Sequence, residues 1–373
     1  MTSLRPAEVF PPGEFIREEL EARGWTQADL AAILGRTTAM VSEIITGKRG
    51  ISTRTANELA AAFGTTPELF INLQASYRHG ACSETTENVS DMASLYQIAP
   101  VRDMIRRQWI PRTSSPAELR TELCRFFGID ILEDIRQEAI AARRSTDSRG
   151  LTISQRAWYY RAKNIAARLR VAPFEEGRLS NTQKRLRALA EYAPEARKVS
   201  RVLGESGIRF VVVEHLPGTK IDGAAFWLDP KSPVIAVSLR FDRIDSFWFT
   251  VMHEFCHVKR RDAILDPELF VAGGKWALAE EEAERWVDEE ASDALIPKAI
   301  LDSFILRVQP FFSKTNIIQF ALRNKIHPGI VVGQLQHRGY IGYQADREML
   351  VQIRETVANE SVTDGWKRML RIS

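Results

Sequence analysis

The sequence has no run approaching 18 consecutive apolar residues, so no membrane-crossing helix is expected. Cysteines are scarce. Cys82, Cys124 and Cys256 are far apart and odd in number, which excludes a disulfide framework and fits a reducing compartment. The opening dozen residues lack the charged-then-apolar order of a secretory signal. A large charge excess is also missing. Lys and Arg total 51 against 48 Asp and Glu, for a net +3, which does not by itself mark a nucleic-acid binder. No internal repeat or low-complexity tract stands out. These absences lead us to expect a cytoplasmic protein with no membrane partner.

What is present is 373 residues with 45% hydrophobic and 27% charged content, enough for more than one globular domain. Charge is uneven along the chain: residues 1–75 carry net −2, residues 76–170 net +5 and residues 171–373 net 0. The expected organisation is an all-α domain over residues 1–78, a linker and helical connector over 79–150, and an α+β domain over 151–373 with a small, mainly antiparallel sheet.

Residues 1–78 read as five short helices. Apolar residues recur at helical spacing from Phe15 to Leu20 and again through Leu30, Ile33 and Leu34, with Gly24 and Gly35 between. Thr26 with Asp29 predicts a capping box. Further helices are expected at about 38–46, closed by Gly47, at 53–63, closed by Gly64, and at 66–75 with Pro67 in the first turn. Two short helices meeting at a tight glycine turn, with small Ala31 and Ala32 to let them cross, meet the requirements of a helix-turn-helix. Gln27, Arg36, Thr37, Thr38 and Ser42 are then candidates to reach DNA base edges, and Lys48 and Arg49 to reach phosphate.

The stretch from Pro12 to Gln74 resembles the HigA-type branch of the Xre family. The shared marks are its PGEF opening, TQxxLA core, SEIxxGKR helix end and NLQ close. That resemblance implies a homodimeric repressor of a double-stranded DNA operator, often acting as an antitoxin with a cognate toxin as partner.

Residues 79–94 are polar and read as a linker. The following stretch carries Arg102, Arg106, Arg107, Arg143 and Arg144, which read as a solvated helix face or as extra phosphate contacts. Ser115 and Pro116 open a helix toward Phe127.

Helices are expected at 154–170 and 182–192, after which the period changes. Residues 209–214, 223–228 and 234–238 read as strands, the last two joined by a short turn that favours antiparallel pairing. A largely apolar helix then carries His253-Glu254-Phe255-Cys256-His257. The two histidines are four apart, so both imidazoles leave one helix face and can share a metal, which also supplies the polar partner that buried histidines need. Glu254, one step from the first ligand, can take a proton from water without itself being a ligand. Cys256 reads as a buried, inert thiol.

A catalytic zinc takes three protein ligands and one open position. Ala263 stands where a metzincin would place its third histidine. A carboxylate on the next helix, at 277–296, is the alternative, and spacing leaves Glu281, Glu284 and Asp288 all open.

The stretch from about Arg201 to Pro297 is similar to the ImmA/IrrE family of metallopeptidases, in its strand region, its Phe-Thr lead-in, its HExxH and a later E-x-x-A-[ND]-x-x-A ending before Pro. The resemblance implies that Zn²⁺ is held by His253, His257 and Glu284, with Asp288 supporting a histidine and Glu254 catalytic. It also implies a regulatory protein, such as a repressor or a partner toxin, as substrate. Val287 and Glu290 depart from the family's alanine and aromatic. Farther on, His327 precedes Pro328 at an expected helix start and is either a transition-state donor or a cap.

Joined, the two halves read as a DNA-binding regulator with a zinc endopeptidase domain. The alternative is an antitoxin or repressor whose zincin-like domain only senses or docks a partner. A third reading has zinc occupancy controlling DNA affinity.

Overall fold

The N-terminal helices begin where the sequence supplies caps. In the computed structural model, which describes residues 11–130, 132, 151–261 and 277–365 (side chains at 78–87 and 277–283 apart), the chain divides into two units, residues 1–93 and 94–373. The first unit holds α1 (Pro12–Arg23), α2 (Gln27–Leu34), α3 (Thr38–Ile45), α4 (Thr53–Phe63) and the start of α5 (Pro67–Ile98). The Thr26 hydroxyl accepts from the Asp29 amide while the Asp29 carboxylate accepts from the Thr26 amide, the expected reciprocal cap of α2. The Thr37 and Ser52 hydroxyls cap α3 and α4 by accepting from the Met40 and Thr55 amides, without the reciprocal bond, and Gly24, Gly35 and Gly64 close α1, α2 and α4 in the left-handed region.

These helices bury one cluster that includes Ile16, Leu20, Leu30, Val41, Ile44, Leu59, Phe63 and Phe70. The start of α1 lies so near the end of α3 that a Cβ built on Gly13 would be 2.0 Å from the Ile45 carbonyl oxygen. Gly13→Ala must therefore force backbone apart, and a loss of about 1–3 kcal/mol is expected from the helical unit. Scanning calorimetry should record a lower midpoint for the N-terminal transition alone; an unmoved midpoint would contradict this close approach.

Residues 79–94 are not an irregular linker. They lie inside α5, which runs on to Ile98. No proline interrupts residues 68–99, so their polar character carries no helix stop. Phe70 and, farther along, Leu95 and Ile98 are buried, which favours helix over its polar middle.

In the second unit, α6 (Val101–Arg106) and α7 (Pro116–Phe127) pack with the C-terminal half instead of forming a free connector. Phe127 meets Tyr160 edge-on at 5.2 Å, and Asn164 Nδ2 donates to the Phe126 carbonyl oxygen at 2.7 Å, both contacts reaching α8 (Ile153–Ala166). Arg107 is neither solvated nor available to phosphate. It is buried, donates to the backbone oxygens of Glu214 and His215, and pairs with Asp364. Arg143 and Arg144 lie outside the described residues.

After α9 (Leu179–Leu189) and α10 (Val199–Glu205) come β1 (Arg209–Val212), β2 (Gly223–Trp227) and β3 (Pro233–Val237), all at the expected positions. The β2–β3 hairpin is antiparallel, as the short turn requires. The sheet as a whole is mixed and not mainly antiparallel. Its order is β2-β3-β1-β4, with β4 (Val362–Thr363) arriving last, and β1 pairs parallel with both β3 and β4. Alternation and β-branching mark strands but do not name their partners, and the distant β4 had no signal strong enough to expect it. The sheet packs on α11 (Ile244–Arg260), which also packs against α12 (Ala277–Leu295) and α15 (Pro328–His337); α13 (Lys298–Val308) follows α12, α14 (Lys314–Arg323) packs on α15, and α16 (Arg354–Ala358) precedes β4.

Candidate metal centre and nucleic-acid interface

Helix α11 owes its place to one apolar face. Ile244, Phe247, Trp248, Val251, Met252, Phe255, Cys256 and Val258 are buried in the main core. His253 and His257 leave the helix on its α12 side, partly covered. Cys256 is buried and forms no disulfide with another described residue.

The two imidazoles converge on one carboxylate. His253 Nε2 and His257 Nε2 are 3.1 Å apart, and the two Glu284 oxygens lie 3.3 Å from one nitrogen each. Among the described residues, this is the group of histidine and carboxylate side chains whose ligand atoms gather tightly enough for a metal, all within 4.8 Å. Zinc bonds of roughly 2.0–2.1 Å in a tetrahedron would separate ligand atoms by about 3.3 Å, so the donor set and its spacing fit that ion. Of the two candidate carboxylates whose side chains are described, Glu284 and Asp288, Glu284 is the one brought to the imidazoles' Nε2 side; the Glu281 side chain lies outside the described residues.

Asp288 stands behind the centre. Its Oδ1 lies 2.9 Å from His253 Nδ1, so a proton held there leaves the Nε2 lone pair facing Glu284. Burial disfavours a charged His253 imidazole, but the Glu284 hydrogen bond and the Glu254 charge outweigh it and raise its pKa above the ordinary value. Hydrogen bonds from His253 and His257 hold the Glu284 carboxyl far below the usual range.

Glu254 is 7% exposed, with its carboxylate against Gly223 of β2 and near enough to His253, His257 and Glu284 to feel their charges. Burial pushes its pKa up to about 7, while His253 and His257 pull it down, and the Ala225 amide on β2 also favours the charged form. Here the structure adds residues that sequence reasoning did not single out. A Cβ built on Gly223 would lie 2.6 Å from Thr250 Cγ2 and 2.8 Å from Glu254 Oε1, so β2 can lie against α11 at this point only because residue 223 lacks a side chain. A glycine opening a strand was the one available hint.

Val287 is buried in the main core, and Glu290 pairs with Lys259 of α11. Arg260 stacks on Trp286 at 4.5 Å, a second tie between α11 and α12. His327 takes the capping role: its Nδ1 accepts from the Gly329 amide at 3.1 Å at the start of α15, and it is not part of the ligand cluster. Burial lowers its pKa.

In the first unit, α2 and α3 meet across Gly35. Gln27, Thr37 and Thr38 are exposed, Ser42 is half-buried, and Thr37 also serves as the α3 cap. Lys48 and Arg49 are exposed beyond α3. Arg36 is held by Glu58 at 3.0 Å, and Arg49 by Glu43 at 2.8 Å, so each has a partner to release before it can touch DNA. Residues 16–70 match the helix-turn-helix family. That match supports a DNA-binding regulator. The chain is 43% identical over 67 residues, 18% of its length, to virulence-associated protein A' of Dichelobacter nodosus, and spans 58% of that relative. No solved structure matches the chain. Among the described residues, no helix is long and apolar enough to cross a membrane.

Proposed function

We propose that the chain is a helix-turn-helix regulator of the HigA-like Xre type joined to a zinc-dependent endopeptidase of the ImmA/IrrE type, acting on a regulatory protein such as a repressor or a partner toxin. A homodimer placing two α3 helices on a double-stranded operator is the DNA-bound form of this reading. One observation carries the peptidase half: His253, His257 and Glu284 converge within 4.8 Å while Glu254, next in sequence to a ligand, stays outside the set and buried against β2.

His253, His257 and Glu284 would hold the ion, with Asp288 fixing the His253 ring. Zinc, when bound, would polarise a peptide carbonyl and acidify water. Glu254 would accept the water's proton on its carboxylate and pass it to the leaving amine. The Ala225 amide would keep that carboxylate oriented, and the absence of a side chain at Gly223 leaves it room.

Metal content tests the reading. Purified wild type should carry about one zinc per chain by mass spectrometry, and His257→Ala and Glu284→Ala should lose it. Asp288→Ala should weaken zinc by about 10- to 100-fold without removing a ligand. No zinc in wild type after it is offered, or full zinc in both ligand variants, would overturn the assignment.

A further inference from the structure

His337 was given no role by sequence reasoning, yet the fold brings it to the rim of the candidate centre. Phe249 and His253 are one helical turn apart on α11 and share a face. The rings of His257, His253, Phe249 and His337 neighbour one another in succession, with centroid spacings of 4.8, 5.9 and 6.3 Å. His337 is the last residue of α15 and is exposed, whereas Ile330, Val331, Val332, Gln334, Leu335 and Gln336 on the same helix are buried.

Its neighbours pin it in place. Gln334 Nε2 donates to the Ser292 carbonyl oxygen on α12 at 2.9 Å. Gln336 Nε2 donates to the Ala345 carbonyl oxygen at 3.0 Å and its Oε1 accepts from Arg243 at 3.2 Å. An exposed imidazole on a rigidly held helix end, lying over a half-buried aromatic ring that itself flanks a candidate ligand, is arranged like one wall of a binding groove.

We infer that Phe249 and His337 form a peptide-binding subsite beside the candidate metal centre, with His337 a positioning residue that hydrogen-bonds the bound chain and Phe249 a platform for an apolar or aromatic side chain. The inference rests on the peptidase reading. The His337 ring lies no farther from the His253 ring than the 5.9 and 6.3 Å steps combined, a span that at most about three to four residues of extended peptide cover at ~3.3 Å each. The subsite therefore touches substrate at a distance from the cleaved bond and contributes affinity and register, not chemistry.

The test uses the zinc-loaded full chain and three probes: acetohydroxamic acid, which reaches only the metal, and two tripeptide hydroxamates, extended on the N-terminal and the C-terminal side of the zinc-binding group. Calorimetry gives each Kd. In wild type, one tripeptide probe should bind more tightly than acetohydroxamic acid. His337→Ala should weaken that probe by about five- to tenfold, the worth of one hydrogen bond, leaving acetohydroxamic acid, zinc content and melting temperature unchanged. His337→Gln, which keeps a donor and an acceptor, should recover most of the loss. Equal weakening of all three probes would assign His337 a structural role and overturn the subsite, as would no weakening at all. Wild type that binds zinc and acetohydroxamic acid but gains nothing from either extension would overturn the subsite alone, whereas wild type without zinc would remove the peptidase reading as well.

Discussion

Replacing Glu254 by Gln is expected to abolish peptide hydrolysis while leaving the zinc in place. The amide keeps the shape of the carboxyl but cannot accept a proton, and a positioned general base is worth about 10²- to 10⁴-fold in rate. The readout is the appearance of new termini when zinc-loaded protein is incubated with candidate regulatory proteins, followed by mass spectrometry. Retained cleavage at full zinc occupancy would sink the role of Glu254. The pH dependence carries a sign that follows from burial. Only the carboxylate is a base, so hydrolysis falls as pH drops through the Glu254 pKa. That pKa is pushed up to about 7 by burial, and a neighbouring dication favours the carboxylate, so the acid limb of the loaded protein should lie below 7. After chelation the same carboxyl affects stability. Its pKa is raised on folding, so below about pH 4 it is protonated in both states and costs nothing. As pH rises through 7, folding must bury a charge, at a cost of up to about 3 kcal/mol. The chelated Gln variant should accordingly unfold at higher temperature than wild type at pH 8 and at the same temperature at pH 4.

Placing a negative charge at the start of α3 is expected to cost the protein its DNA. Thr38 is exposed in the first turn after the Thr37 cap. A glutamate there suits the positive end of the helix, so Thr38→Glu should fold at least as well as wild type. Facing phosphate and base edges, the same charge should lower affinity by roughly 100-fold, on the scale of a lost base contact with added repulsion. The operator is first selected from random duplexes with wild type, then titrated by fluorescence anisotropy at fixed salt. Lys48→Ala should instead weaken all sequences alike and reduce the salt slope by about one. Unchanged binding by a folded Thr38→Glu would mean that α3 is not the element that enters the groove.

Local chemistry wrote itself into the sequence clearly. The Thr26–Asp29 capping box, the glycine closures and the crossing of α2 and α3 followed from residues a few positions apart, because caps and turns are settled by near neighbours. The three main strands and the HExxH helix were legible for the same reason. The polar stretch 79–94 misled because polarity resembles a linker, whereas helix formation there depends on the absence of a breaker and on apolar residues near both ends of α5.

The sequence by itself determined the helix-turn-helix, the pair of histidines that share one helix face, and the list of carboxylates that could join them, since each depends on spacing along a single element. Tertiary structure alone decided that Glu284 faces the imidazoles' Nε2 atoms while Asp288 backs one ring, that the sheet is mixed, that Gly223 must lack a side chain beside Glu254, that Arg107 is buried in a polar network, and that His337 lies against Phe249, the neighbour of His253. Periodicity records which way a side chain leaves its own helix or strand. Which other element it then meets is set by packing across long sequence separations, and no local pattern encodes that.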